Sequence, residues 1–136
     1  LSNGEKIPPA DMEMAIELDP LVEQVMVVGE GKPYLAALIV LNPDLWSGLA
    51  QEYGLDSAQA SSLRDRHLQN EVLRRIKSAL RGFPGYAKIR RVALLLEPWT
   101  VDNGLLTPTL KVKRQQVLAH CAEAIASLYQ DGPTDG

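Results

Sequence analysis

A single cysteine, Cys121, stands in the sequence, so no disulfide can form within the chain. The two histidines build no zinc site either. His67 stands on the polar side of a helical stretch and His120 adjoins Cys121, and neither has the spacing of structural zinc ligands. No apolar run is long enough to span a bilayer, and no signal-peptide pattern is present. The two tryptophans, Trp46 and Trp99, are too few and too far apart to make a platform for stacked bases. None of the usual glycine-rich phosphate cradles occurs. Excess charge is lacking too. Fourteen basic residues against seventeen acidic ones leave a net charge of -3, so no general field draws the chain to nucleic acid or to an acidic membrane. Any basic site must be local, and the expected location is cytoplasmic.

What is present describes one domain. The 136 residues suit a modest single core, and 46% hydrophobic with 23% charged residues is a globular composition. Ile7-Pro8-Pro9 leads into a helix with Pro9 near its first position and Asp11 in its first turn, running to about Leu18 before Asp19-Pro20 stops it. Val25–Val28 and Tyr34–Leu41 are β-branched apolar runs separated by the turn Gly29-Glu30-Gly31-Lys32-Pro33, and they read as a hairpin. The second run has almost no polar alternation, which predicts a strand covered on both faces by helices. Asn42-Pro43 opens a helix to Tyr53, closed by Gly54. A longer helix is expected from Ser57 or Ser61 to about Arg81, with Leu68, Val72, Ile76 and Leu80 on its inner face. Ile89–Leu96 forms a third strand. A last helix carries Val117, Cys121, Ala124 and Leu128 on one side, which places the thiol in the core and argues against a nucleophile there. The tail, residues 130–136, is expected to fray. These elements add up to an α+β fold, a short mixed or antiparallel sheet of about three strands flanked by helices.

The most informative stretch is Asp102-Asn103-Gly104-Leu105-Leu106-Thr107-Pro108-Thr109-Leu110-Lys111-Val112-Lys113-Arg114. Asn103-Gly104 supplies a turn that tolerates positive φ, Pro108 stiffens the loop, and Thr107 and Thr109 offer hydroxyls and helix caps. Lys111, Lys113 and Arg114 follow closely. Such a loop suits an anionic ligand, because ammonium and guanidinium groups near a helix start meet phosphate or carboxylate oxygens. The plain alternative is a solvated basic turn.

Taken together, the two ends of the chain resemble a known family. Leu1-Ser2-Asn3-Gly4-Glu5-Lys6-Ile7-Pro8-Pro9 followed by Met12-Glu13 is similar to the loop and helix start that open the small C-terminal domain of adenylate-forming acyl-CoA synthetases. Asn103 to Arg114 resembles the late lysine motif of that family, in the form typical of long-chain fatty acid–CoA ligases. The order and separation of the two motifs extend the likeness over nearly the whole chain. Leu110 departs from the many members that carry glycine before the lysine.

The resemblance implies a C-terminal lid domain over residues 1–136, cut from a larger enzyme whose N-terminal adenylation domain is its partner. It implies that Lys111 is the catalytic lysine of acyl-adenylate formation, with Gly104, Thr107 and Thr109 supporting its loop. Ser2, Asn3, Gly4 and Glu5 are implied to line the pantetheine tunnel in a second pose, when the thiol of coenzyme A attacks. Fatty acid, ATP, coenzyme A and Mg2+ are implied for the full-length enzyme, none of them held tightly by this fragment. Peripheral membrane association of that enzyme is compatible with the absence of a spanning run, and no nucleic acid is expected. A small phosphate-binding regulatory module, or a protein-interaction module without catalysis, would share the α+β pattern and the basic loop but gives no reason for the N-terminal motif.

Overall fold

Seven consecutive apolar residues, Leu35–Leu41, form a strand whose positions from Ala36 to Leu41 are all buried. A strand of this kind has no face left for water, so the chain must supply cover on both sides. In the computed structural model, which describes residues 7–130, it does so. The sheet has three strands, β1 (Val22–Val28), β2 (Leu35–Leu41) and β3 (Ile89–Leu95), in the order β1-β2-β3. β1 pairs antiparallel with β2, with Val27 opposite Ala37, and β3 pairs parallel with β2, with Val92 opposite Ala37. The sheet is therefore mixed.

One face is covered by the helices α1 (Pro9–Ile16), α2 (Pro43–Glu52) and α3 (Arg66–Ala79). Met12 and Ile16 of α1, Trp46 and Ala50 of α2, and Leu68, Val72 and Ile76 of α3 pack there with Val25, Val27, Ala37, Ile39 and Leu41 of the sheet. The other face carries Met26, Val28, Ala36, Leu38 and Val40. It is covered by Trp99 and Leu105 from the long loop after β3, Val117 of α4 (Arg114–His120), and Leu128 of α5 (Ala122–Gln130). Cys121 sits between these last two helices and is buried with them, and burial first, then the charge of Glu97, pushes its thiol above the usual range. The thiol is thus held in its unreactive form, as its helical phase suggests.

Several boundaries differ from the sequence-based expectation for local reasons. α1 stops at Ile16, and two turn hydrogen bonds, Leu18 N–H to Ala15 O and Asp19 N–H to Ile16 O, replace its expected last turn. β1 begins at Val22, with a register shift between Val22 and Gln24, so it is longer than its β-branched run. The helix expected from Ser57 or Ser61 is broken: a 3-10 turn spans Ala60–Arg64, and Asp65, in extended conformation, accepts the Leu68 N–H at 3.0 Å and restarts the chain as α3. An N-cap aspartate outcompetes a continuous helix at that position. The last helix is likewise two pieces that meet at Cys121, and Ala124 is only half-buried. Gln130 closes α5, and the rest of the expected fraying tail lies outside the described residues.

A chain of charges ties the turn after α1 to α3. Arg75 reaches Asp19 at 2.9 Å and Glu71 at 2.9 Å, while Arg74 binds Glu71 at 2.7 Å. The hydrogen bond from Arg74, aided by that from Arg75, outweighs partial burial and holds the Glu71 carboxyl down at about 2. A carboxyl depressed in the folded state stabilises that state above its unfolded value of 4.5, and the contribution fades as pH falls toward 2. Denaturant midpoints measured at several pH values should therefore fall across this window in the unaltered chain and change less in Glu71→Gln, which should also be the less stable of the two at pH 7.

Candidate functional site

The loop from Thr100 to Lys113 is built almost entirely from its own hydrogen bonds. Asn103 organises the first half: its Oδ1 accepts the Thr100 N–H at 2.9 Å and the Leu105 N–H at 3.3 Å, and its side-chain amide donates to Pro98 O at 3.0 Å. Its own N–H donates to the Thr100 hydroxyl at 3.0 Å. The positive φ of the turn falls on Gly104 alone, at 80°. Asn103 thus serves the turn through its side chain rather than by a left-handed backbone.

The second half is a small hairpin. Leu106 bridges Val112, the Thr107 N–H donates to Lys111 O at 2.8 Å, and the Leu110 N–H donates back to Thr107 O at 2.7 Å. Thr107-Pro108-Thr109-Leu110 is therefore a β-turn with proline in its second position, where a fixed φ is favourable. The Thr107 hydroxyl accepts the Lys111 N–H at 3.0 Å and lies 3.2 Å from that of Thr109. These hydroxyls brace the turn and cap no helix. α4 starts at Arg114 after Lys113, with no side-chain cap, and Thr107 and Thr109 are spent within the hairpin.

Leu110 is the only non-glycine residue with positive φ among those described, at 69°. Left-handed backbone is the natural close of a hairpin of this length, and leucine adopts it at a penalty of roughly 1–2 kcal/mol. A glycine would adopt it freely, so Leu110 stands where the turn has most use for a missing Cβ. The leucine side chain is exposed.

The three cations part company here. Lys111 is exposed at the end of the turn and has no ion-pair partner among the described residues. Lys113 is half-buried, and its N–H bonds Leu105 O at 2.9 Å, closing the base of the hairpin. Arg114 pairs with Glu13 of α1. Glu13 and Gln24 were not legible as site residues. Gln24 of β1 grips the backbone of Trp99 twice, accepting its N–H at 2.8 Å and donating to its carbonyl at 2.9 Å, and so holds the entry to the loop against the sheet edge. Glu13 stands in the N-terminal motif only as part of its helix start, and Gln24 carries no such signal. Ser2, Asn3, Gly4 and Glu5 lie outside the described residues.

An open cleft of about 390 Å³ lies beside α3, lined by Tyr53, Asp65, His67, Asn70, Glu71 and Arg74. Its two carboxylates make it a poor home for an anion. Among the described residues no group of three His, Cys, Asp or Glu side chains gathers to hold a metal ion. No described helix is long and apolar enough to cross a membrane. What the hairpin offers is one cation on a braced turn, fit for a single contact to a carboxylate or phosphate oxygen.

Replacing Leu110 with glycine should relieve the left-handed strain at the loss of little packing. The expected gain, read as an upward shift of the thermal midpoint, is about 1 kcal/mol. No change or a loss would mean that Leu110 is held by contacts beyond those of an exposed side chain.

Comparison with known proteins agrees with this geometry. Residues 1–132 match the model of the AMP-binding enzyme C-terminal domain. The long-chain-fatty-acid–CoA ligase FadD15 of Mycobacterium tuberculosis is 33% identical over 130 residues, covering 94% of this chain and 22% of that protein. The peroxisomal long chain acyl-CoA synthetase 6 of Arabidopsis thaliana is 33% identical over 138 residues, covering 96% of this chain and 19% of its own. Among solved structures, the adenylation domain of the carboxylate reductase of Mycobacterium chelonae superposes with a TM-score of 0.78 at 26% identity, covering 96% of this chain and 19% of that one. The chain thus spans about a fifth of the length of the relatives it matches. With the family's domain matched from end to end of the described residues, this chain belongs to the AMP-binding enzyme C-terminal domain family.

Proposed function

We propose that residues 1–136 are the mobile C-terminal domain of an ATP-dependent long-chain fatty acid–CoA ligase, and that Lys111 is its catalytic lysine in acyl-adenylate formation. The observation that carries this reading is the hairpin: an exposed ammonium on a turn braced by proline, by two threonines and by backbone hydrogen bonds. The carboxylate of a fatty acid and the phosphates of ATP repel each other. A cation set between them is worth more as they react than while they are apart, and so lowers the barrier. ATP, when bound by the partner domain, supplies the pyrophosphate leaving group that lets a carboxylate become an acyl-adenylate. Lysine suits the role as a compact charge on a flexible stem, able to withdraw when the domain turns.

On this reading the acid, ATP with its Mg2+, and coenzyme A are held chiefly by the N-terminal adenylation domain, which is this chain's partner. Ser2, Asn3, Gly4 and Glu5 line the pantetheine arm in the second pose, where Gly4 lets backbone pass close to a narrow ligand. Gly104, Thr107 and Thr109 support the lysine loop. The reading keeps the enzyme in the cytoplasm. A separate phosphate-binding module would share the basic loop but gives no reason for the N-terminal motif.

The full-length enzyme provides the test. Lys111→Ala should lose about 10²–10³ in the rate of adenylation, the loss typical of one preorganised donor. Lys113→Ala should stay near the unaltered rate, and thioester formation from supplied acyl-adenylate should survive in both. Adenylation lost in Lys113→Ala and kept in Lys111→Ala would show that the wrong lysine has been assigned. For the N-terminal loop, Gly4→Leu should slow thioester formation while adenylation stays near normal, and equal loss in both half-reactions would remove the tunnel assignment.

A further inference from the structure

The β1 edge of the sheet is crossed by one side chain that touches both of its covers. Glu13, on α1, has a side chain only 12% exposed. Its Oε2 accepts the backbone N–H of Val27 at 2.7 Å, while Oε1 accepts from the guanidinium of Arg114. α1 belongs to the core on one face and α4, which Arg114 opens, to the core on the other. The pair therefore wraps the edge strand and ties the two faces together outside either core. Arg114 also stands three residues beyond Lys111, on the backbone that leaves the hairpin. Lys113 sits between them with its N–H on Leu105.

We propose that Glu13 and Arg114 are a positioning pair for Lys111. They fix the exit of the hairpin to α1 and the β1 edge, so that the root of the ammonium moves with α1 as one body. The inference rests on the role proposed for Lys111 and adds residues that do not themselves meet substrate. Three features of the contact favour positioning over a chance surface pair. The carboxylate is nearly withdrawn from solvent, both of its oxygens are used, and one of them takes an edge-strand N–H that β2 leaves free. With Glu13 anchored to backbone, Arg114 meets a fixed acceptor, and the contact carries geometric information that two flexible surface chains would not. The hairpin's own hydrogen bonds are short-range, Leu106 and Val112 seat its arms on the second core, and polar side-chain contacts hold its two ends. Gln24 grips Trp99 at the entry, and Glu13 grips Arg114 at the exit.

The test is a double-mutant cycle in the full-length enzyme, with the adenylation half-reaction as the readout and thermal midpoints measured alongside. Glu13→Gln keeps an acceptor for Val27 and removes the charge that holds Arg114. It should lower the kcat of adenylation by roughly 10–10²-fold with KM for the acid little changed, the size of effect expected when a reacting group is misplaced by about an ångström. In a Lys111→Ala background the same change should add almost nothing, since there is no ammonium left to misplace. Arg114→Gln should behave like Glu13→Gln, and Arg114→Lys, which keeps a cation on Glu13, should recover most of the loss. If Glu13→Gln slows the Lys111→Ala enzyme by the same factor as the unaltered one, or if its kcat is unchanged, the pair has no positioning role. An unfolded Glu13→Gln leaves Arg114→Gln against Arg114→Lys to decide, with equal activity of the two overturning the inference. Lys111→Ala without effect on adenylation would overturn the reading of Lys111, and the pair's role with it, by a separate measurement.

Discussion

Everything in this domain follows from a central strand that tolerates water on neither side. Leu38 and Ile39 point in opposite directions, and both are fully buried. A three-stranded sheet offers little area, so each face has to be closed by whatever the chain brings next. The connection from β2 to β3 supplies α2 and α3 to one face, where α1 already lies. The chain after β3 must then cover the other, and it does so first with a loop and only afterwards with helices. Trp99 and Leu105, at the start of that loop, are as much part of the core as any strand residue.

This division of labour explains why a loop carries the candidate site without being loose. Its inward residues are anchored in the second core, and its outward residues are braced by Asn103, Thr107 and the hairpin bonds. Lys111 stands at the point where inward anchoring ends. A side chain presented in this way has a well-defined root and a free tip, which suits a cation that must engage and then withdraw. The left-handed Leu110 just before it belongs to the same economy: the turn closes sharply enough to aim the next residue outward, and the backbone accepts strain there.

The two sides of the domain are also joined by polar contacts. Glu13 and Arg114 clasp the β1 edge, Gln24 holds Trp99, and Arg75 links α3 to Asp19 after α1. At the far end Tyr34 donates to Leu128 O at 2.6 Å and Tyr129 donates to Tyr34 O at 2.9 Å, their rings 4.9 Å apart, which pins α5 to the start of β2. Burial pushes the Tyr129 phenol up to about 12, so it stays a donor throughout the neutral range.

How much of this the sequence settles by itself depends on the range of the interaction. Apolar periodicity is local, and it was enough for the inner face of α3, for the double burial of β2 and for Cys121 in the core. The turn chemistry of Asn42-Pro43, Gly104 and Pro108 is local as well, and those turns lie where their residues suggest. The late motif singled out Lys111 because it is read along one continuous stretch. What needed the tertiary structure was the choice between competing local options and every contact between distant segments. Asp65 breaks a periodic stretch that reads as one helix, because its carboxylate caps the second part. Thr107 and Thr109 have the composition of helix caps, yet the hairpin that closes at Lys111 takes their hydroxyls first. The strain at Leu110 appears only once the turn type is known. Glu13 and Arg114 lie about a hundred positions apart in the chain and carry opposite charges like many other pairs. Only folding both covers around the same strand edge brings them together, because pairing across such a distance is decided by sheet order and layer packing rather than by any pattern in the neighbouring residues.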